Sequence, residues 1–321
     1  MFEIRNLTFD DSKEILNVWN DEVGFIFPIS ESLFNQSVYE SKYYYSKGSF
    51  VAVVDNRIVG FVITKLYDND PIMPKYFNKG WISLWYVSNK YRKRGIGKTL
   101  LLKGEEMLLA AGVKSISIGG DLDNFFPGIP CDFDNLTSSV VEKMGYNCGR
   151  YTHDLLLTDF GKVKYCKNAD VEIRYATAND KGELLKFMKR YFPGRWENEV
   201  RVYFEENDIK EEYLLATQNE TIVGFLRVND KRIKRISYNI NWQNRFNDLA
   251  GLGPLGVANE KRGNGIAKEL MMYAIVDLMD KGIKEIMIDW TGLMAIYQKY
   301  GFEVWKCYQY CSKDIINGGI I

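Results

Sequence analysis

The sequence predicts a mixed α/β protein in which one unit occurs twice along the chain. The tripeptide Glu-Ile-Arg at residues 3–5 returns at residues 172–174, and Ile-Val-Gly-Phe at residues 58–61 returns at residues 222–225. A strand, a turn with two small residues and a helix also occur twice, after these two repeats. Because three segments repeat in the same order, we expect two copies of one fold.

The length and composition fit two domains of ordinary size. The chain has 321 residues, of which 46% are apolar and 26% are charged, so each half can bury a core. We place the boundary in the polar stretch 158–170 and predict domains at residues 1–162 and 163–321. Basic and acidic residues number 42 each, which argues against a general nucleic-acid binder.

Each copy begins with a strand, a polar turn at Thr8 or Thr177, and an amphipathic helix. The next two strands are joined by Asp-Asn at residues 55–56 in the first copy and by Asn-Glu at residues 219–220 in the second. Short polar pairs between two apolar runs are typical of hairpins. We therefore expect the same antiparallel start in both copies.

The glycine turn follows an apolar strand, at residues 81–87 in the first copy and 252–257 in the second. Both turns have the pattern Arg-x-x-Gly-x-(Gly/Ala). Such a turn directs unpaired N–H groups of a helix start at one spot, and glycines let a ligand approach the backbone closely. We predict that a phosphate or pyrophosphate binds there, on Arg92, Lys93, Arg94, Gly95, Ile96, Gly97 and Lys98 and on Arg262, Gly263, Asn264, Gly265, Ile266 and Ala267.

Each copy closes with a strand, a short helix that ends at Gly145 or Gly301, and a last strand. The copies differ in a long loop at residues 120–136 of the first and in an insert at residues 231–248 of the second. Aromatic residues in both segments form either substrate walls or loop packing. In the insert they are Tyr238, Trp242 and Phe246.

The cysteines and the single histidine exclude several kinds of site. Five scattered cysteines indicate neither a disulfide framework nor a zinc site, and we expect Cys307 and Cys311 to be small buried residues on one strand face. His153 is expected to be structural, and no metal site is predicted. The first residues begin a strand pattern without a signal peptide, and no apolar run is long enough for a membrane span, so we expect a cytoplasmic protein.

The order of elements resembles the GCN5-related N-acetyltransferases (the GNAT family), here as a tandem pair covering almost the whole chain. The glycine turn and the segment Ala-Ile-Tyr-Gln-Lys-Tyr-Gly-Phe at residues 295–302 carry the resemblance. It implies two GNAT-type acyl-CoA N-acyltransferase domains that bind acetyl-CoA with the pyrophosphate on the turn. It also implies that the strand before the turn splays from its neighbour, and that N–H groups near Val87 or Val257 stabilise the oxyanion.

The implied reaction is acetyl transfer to a primary amine of a small molecule or peptide, by direct attack on the thioester. Tyr297, four residues before Gly301, matches the proton donor of the family, whereas the first copy has Val141 at the corresponding position. Asp289 ends the neighbouring strand and either steers or deprotonates the amine, or caps the next helix. We therefore predict catalysis in the second copy, although Asp121 and Asp123 leave a different acceptor open for the first.

Three alternative functions share some features with this sequence. Residues 95–99 resemble the end of a Walker A loop, but Arg92 stands where that loop needs its first glycine. A dinucleotide-binding fold would need the turn after the first strand and a third glycine. A non-catalytic acyl-CoA-binding or regulatory protein stays open, because the first copy lacks the tyrosine. The amine acceptor is not identified, and both a monomer and a homodimer are compatible with the sequence.

Overall fold

The computed structural model describes residues 1–133, 136–161, 163, 170–205 and 211–315. The mixed α/β fold is confirmed. The described residues form two compact units, the first from residues 1–70, 76–153 and 306–315, and the second from residues 71–75 and 154–305. The predicted domain boundary after residue 162 falls in a stretch where residues 162 and 164–169 lie outside the described residues, so it stays a prediction.

The first unit combines a twisted sheet with helices on its faces. The strands are ordered β1-β2-β3-β4-β5-β13, and the neighbours are antiparallel except for the parallel pair β4 and β5. The elements are β1 (Glu3–Asn6), α1 (Ser12–Glu22), α2 (Glu31–Ser37), β2 (Phe50–Val54), β3 (Arg57–Leu66), β4 (Lys79–Val87), α3 (Ile96–Ala110), β5 (Ser115–Ile118), β6 (Ile129–Pro130), α4 (Leu136–Lys143), the start of β7 (Asn147–Leu157) and most of β13 (Glu303–Asp314).

The second unit has the same order of elements. Its strands run β8-β9-β10-β11-β12, with β7 beside β12. Again the pairs are antiparallel until the parallel pair β11 and β12. The elements are β8 (Glu172–Tyr175), α5 (Lys181–Tyr191), α6 (Arg195–Glu205), β9 (Tyr213–Gln218), β10 (Thr221–Asp230), β11 (Leu249–Val257), α7 (Ile266–Asp280), β12 (Glu285–Thr291) and α8 (Met294–Tyr297).

The start of each unit is fixed by the same polar contacts. The guanidinium of Arg5 forms two hydrogen bonds of 2.7 Å to the carboxylate of Asp11, which also accepts from the backbone and hydroxyl of Thr8. This capping box satisfies N–H groups at the helix start. The corresponding contacts recur in the second unit between Arg174, Thr177 and Asp180.

The hairpins and the repeated Ile-Val-Gly-Phe segments are confirmed by the backbone. Residues 55–56 have φ of 49° and 59°, and residues 219–220 have φ of 49° and 64°, as a two-residue type I′ turn requires. A Cβ on Gly60 would lie 2.8 Å from the carbonyl oxygen of Tyr86. The glycine therefore permits close packing between β3, β4 and α3.

Among the described residues no helix is both long enough and apolar enough to span a bilayer. The prediction that no disulfide forms is wrong, because Cys148 and Cys311 are bonded. The two residues are 163 positions apart, and only the pairing of β13 into the first unit brings them together. Sequence spacing reports local frameworks, and this bond is not local.

Candidate active site

In each unit the two parallel strands separate at the level of the glycine turn. In the first unit β4 pairs with β5 only from Lys79–Ser115 to Ile82–Ile118, so none of the described residues of β5 pairs with residues 83–87. In the second unit the pairing of β11 with β12 ends at Gly251–Met287. The splayed geometry implied by the family resemblance is therefore present in both units.

The two glycine turns have nearly the same backbone. Gly95 and Gly265 precede α3 and α7 with φ of 83° and 79°, in the left-handed region that favours glycine. Each helix is 15 residues long and starts directly at the turn. The Nε of Arg92 donates to the carbonyl of Val87 at 2.9 Å, and the Nε of Arg262 donates to the carbonyl of Val257 at 3.2 Å. The arginine at the start of each turn thus ties the turn to the end of the preceding strand.

In both turns most of the predicted phosphate-binding residues are exposed, and one isoleucine is buried. Ile96 and Ile266 are buried and fix the helix start in the core of each unit. Gly97 is partly exposed. The exposed residues are Arg92, Lys93, Arg94, Gly95 and Lys98 in the first turn and Arg262, Gly263, Asn264, Gly265 and Ala267 in the second.

A cavity of about 470 Å³ lies between the splayed strands of the first unit. It reaches from the glycine turn past the free edge of β4 to β6 and α4. Six predicted residues line it, namely Val87, Arg92, Lys93, Gly95, Gly97 and Lys98. Aromatic side chains form other parts of the wall, namely Trp19, Trp85, Tyr86, Phe126 and Phe133.

The sequence indicated part of this wall and missed another part. Phe126 lies in the aromatic loop for which the sequence left open a substrate wall or loop packing, and it lines the cavity. Trp19 was missed, because on α1 it fits an ordinary core position, and its ring packs 6.0 Å from that of Phe126 and 5.2 Å from that of Tyr86. Only the packing of α1 onto the sheet reveals that it borders a cavity.

The acidic residues after β5 are held in other contacts. The ammonium of Lys65 lies 2.6 Å from the carboxylate of Asp121, and both side chains are fully buried. Asp123 accepts a hydrogen bond of 2.7 Å from Ser41. Val141, at the position of the second copy's tyrosine, is completely buried in the core. These residues therefore do not form an acid–base pair facing the first cavity.

The end of β12 in the second unit carries a group of interacting carboxylates. Asp289 is half-buried, and its pKa is raised to about 7, first by burial and then by the nearby charge of Asp154. Asp154 is buried and accepts a hydrogen bond of 3.0 Å from the backbone N–H of Trp290. Trp290 has φ of 47°, a conformation that costs energy in a bulky residue and is frequent at functional sites.

A buried arginine lies beside this group. The guanidinium of Arg195 lies between two aromatic rings, 4.4 Å from the centre of Tyr238 and 4.7 Å from the centre of Trp290. Its Nε donates to Glu199 at 3.2 Å, and its charge lowers the pKa of Asp289 against the two larger effects. Tyr238 was singled out from the insert, whereas Arg195 carried no sequence signal beyond an ordinary helix start.

Tyr297 stands on the short helix α8, with its ring 6.2 Å from that of Phe302. Burial raises the pKa of its hydroxyl, and the charge of Asp289 raises it further. The hydroxyl therefore stays protonated at neutral pH. Asp289 does not cap the following helix, because Thr291 accepts the hydrogen bond from the backbone of Leu293 instead. The charge of one predicted catalytic residue, Asp289, thus acts on the other, Tyr297.

The sequence profile of the acetyltransferase (GNAT) family matches residues 13–126 and 182–302. These regions cover more than half of the chain, one in each copy, so the protein belongs to the GNAT family. Members of this family generally use acetyl-CoA and act on amine acceptors.

The individual proteins that resemble this chain have low sequence identity to it. An N-alpha-acetyltransferase of Saccharolobus solfataricus is 29% identical over 103 residues, which are 31% of this chain and 58% of the relative. A glucosamine N-acetyltransferase region of a fungal multi-domain GH3 beta-N-acetylglucosaminidase has a TM-score of 0.85 at 23% identity. The match covers 97% of this chain but 38% of the fungal chain. A tandem GNAT protein from the clavulanic acid biosynthesis pathway has a TM-score of 0.70 at 15% identity and covers 99% of this chain and 100% of that one.

Proposed function

We propose that this protein is an acetyl-CoA-dependent N-acetyltransferase whose second unit transfers the acetyl group to a primary amine. The observation that carries the proposal is the placement of Asp289 near the end of β12 and of Tyr297 on α8, which follows it. Asp289 has a pKa of about 7, and Tyr297 is a protonated hydroxyl whose pKa is raised by burial and by that carboxylate. One group is suited to accept a proton near neutral pH and the other to donate one. The first unit has the turn without such a pair.

The chain offers groups that fit the parts of acetyl-CoA. The first N–H groups of α3 and α7 have no intrahelical acceptor and suit a pyrophosphate. In the first unit Lys93 and Lys98 border the cavity and add positive charge, while its largely apolar walls suit a pantetheine arm. In the second unit the residues that would hold the phosphates are Arg262, Gly263, Asn264, Gly265, Ile266 and Ala267.

Acetyl transfer from this thioester then requires that the nitrogen lose two protons and that the sulfur gain one. Asp289 takes a proton from the incoming ammonium, and the neutral nitrogen attacks the carbonyl carbon as the carbon–sulfur bond breaks. The backbone N–H of Val257 stabilises the negative charge that develops on the carbonyl oxygen. Tyr297 gives its proton to the leaving sulfur, and it is reprotonated by the second proton of the nitrogen, which leaves as the amide forms. The products are the amide and free CoA thiol.

The surroundings of Asp289 favour a compact, polar and cationic acceptor. Asp154, Glu199 and Asp289 are acidic, while Tyr238 and Trp290 present ring edges and faces around Arg195. Acidic groups attract an ammonium, and aromatic rings commonly pack against sugar or aliphatic faces. We therefore place an amino sugar first among the acceptors to be tested, as suggested by the name of the fungal neighbour. A peptide N-terminus comes second.

The test is release of CoA thiol from acetyl-CoA with a panel of amines, namely glucosamine, a short peptide and a polyamine. Turnover with at least one amine is expected, and Tyr297→Phe should remove most of it. Tyr300→Phe is the matched control. Tyr300 packs against the same core, but it does not stand four residues before the glycine at the helix end. Acetyl-CoA binding without turnover in the presence of every amine would count against an acetyltransferase.

The first unit supports a second candidate function, non-catalytic binding of an acyl-CoA. Its cavity is accompanied by the buried pair Lys65–Asp121 and by Val141 in the core. We propose that this unit binds the cofactor without transferring the acyl group. In equilibrium dialysis, the Tyr297→Phe variant should then bind acyl-CoA. Substitution of Gly95 should weaken this binding.

A further inference from the structure

Two free thiols face each other between the cavity wall of the first unit and strand β13. The Sγ of Cys131 donates a hydrogen bond of 3.3 Å to the Sγ of Cys307, and both cysteines are partly exposed. The backbone N–H of Cys131 also donates to the carbonyl of Cys307 at 2.9 Å. Since a disulfide needs a separation of about 2 Å, the sulfurs would have to approach by only roughly 1 Å.

Cys131 directly follows the part of the chain that walls the cavity. Ile129 and Pro130 form the two-residue strand β6 and line the cavity, together with Phe126 and Phe133 on either side. Strand β6 is attached to β13 by the pairs Pro130–Tyr308 and Ile129–Gln309. A two-residue bridge leaves a loop with few backbone hydrogen bonds, and such segments open most readily.

The neighbouring cysteine pair shows that this strand accepts a cross-link. Cys307 and Cys311 are four residues apart on β13, and alternation of side chains along a strand puts them on one face. Cys311 is already bonded to Cys148, at the start of β7. Each cysteine of β13 therefore faces a cysteine from the first half of the chain, and one pair is bonded while the other is reduced.

We propose that Cys131 and Cys307 are a site of reversible thiol oxidation, and that their disulfide fastens the cavity wall, residues 126–133, to strand β13. The oxidant is a small-molecule disulfide such as oxidised glutathione. The thiolate of Cys307 attacks it and forms a mixed disulfide, releasing one glutathione thiolate. The thiolate of Cys131 then attacks the Cys307 sulfur and releases the second, and the two cysteine protons pass to the two leaving thiolates.

The environment favours this order of attack. Burial and, after it, the neighbouring sulfur of Cys307 raise the pKa of Cys131 to about 12. Cys131 therefore stays protonated and is the hydrogen-bond donor of the pair, so Cys307 is the thiol that attacks first. Asp132 forms an ion pair with Lys306 beside the two sulfurs, which keeps the two backbones in register.

Fastening the wall has a consequence for the cavity that rests on the proposed binding of an acyl-CoA in the first unit. The wall segment loses its freedom to open, so a bound ligand leaves more slowly. The locking itself does not depend on the ligand, because it concerns only the segment 126–133 and β13. The two parts can therefore be measured separately.

The experiment treats the full chain with oxidised or reduced glutathione and maps disulfides by mass spectrometry of non-reduced peptides. Amide hydrogen exchange of residues 126–133 is measured on the same samples. A Cys131–Cys307 peptide is expected after oxidation, together with exchange of the wall that is slower by roughly tenfold or more. Cys131→Ser and Cys307→Ser should abolish both changes, whereas Cys166→Ser should retain them.

Several outcomes would overturn the proposal. One is glutathione attached separately to Cys131 and Cys307 without a cross-link. Another is a cross-link that leaves exchange of residues 126–133 unchanged. CoA binding by calorimetry distinguishes the two levels of argument. If no CoA binds in either state while the cross-link slows exchange, the proposed function of the first unit fails and the thiol site stands.

Discussion

The two units share a backbone and differ in what surrounds the glycine turn. In the first, a cavity of about 470 Å³ lies beside the turn, and the neighbouring charged residues Lys65 and Asp121 are buried in a pair. In the second, burial raises the pKa of both Asp289 and Tyr297. The charge of Asp154 raises the pKa of Asp289 further, and the charge of Asp289 raises that of Tyr297. The two units share the scaffold, which depends on local sequence patterns, and they differ in a few side chains around the turn.

The largest expected effect separates the units by catalysis. Tyr297→Phe should lower turnover by about 100- to 10,000-fold, the range that general acid–base assistance supplies. Acetyl-CoA affinity should change little, because the hydroxyl acts on the leaving sulfur. Steady-state thiol release and calorimetry measure the two quantities. Full turnover of Tyr297→Phe together with loss of turnover on Gly95 substitution would assign catalysis to the first unit.

The next comparison tests whether each turn binds CoA. Gly95→Val and Gly265→Val place a branched side chain at φ of 83° and 79°, beside the helix N–H groups. Each should weaken CoA binding in its own unit by roughly tenfold, equivalent to about 1.4 kcal/mol.

Gly112→Val and Gly282→Val provide matched controls, because these glycines have φ of 84° and 83° at the far ends of the same helices. They should cost similar folding stability without altering CoA affinity. Equal losses of affinity in all four variants would mean that backbone strain, rather than contact with a phosphate, explains the effect.

The third comparison concerns the pH dependence of the second unit. Asp289 acts as a base only when ionised, so kcat/KM should rise with pH up to about 7 and level off above it. Asp154→Asn removes a like charge and keeps an oxygen for the N–H of Trp290. The rising part of the pH profile should therefore move to lower pH by about one unit, which raises kcat/KM at pH 6 several-fold. An unchanged pH profile would mean that Asp154 does not raise the pKa of Asp289.

The smallest expected effect concerns the last small residue of each turn. Gly97 packs against Trp85, and an added Cβ would lie 3.2 Å from its ring, whereas the second copy has Ala267 and Leu255 at these positions. Ala267→Gly should cost about 1 kcal/mol of stability through lower helix propensity. Gly97→Ala should not increase the stability unless Trp85→Leu also removes the ring that the added Cβ would contact. Chemical denaturation of the single and double variants measures the coupling, and a stabilising Gly97→Ala would contradict it.

The sequence by itself determined the features that depend on neighbouring residues. The capping boxes at Thr8 and Thr177, the type I′ hairpins and the left-handed Gly95 and Gly265 are each encoded within a few positions. Their repetition was sufficient to predict two units of one fold. The role of Tyr297 stays a prediction, made from the family resemblance and from its distance to Gly301.

Only the tertiary structure decided the features that join distant segments. The bond from Cys148 to Cys311 exists because β13 lies beside β5, and the burial of Asp121 depends on Lys65, 56 positions away. The shift in the pKa of Asp289 likewise comes from burial and from Asp154 on another strand. Charge, burial and sulfur–sulfur distance are set by separation in space, which local sequence patterns do not contain.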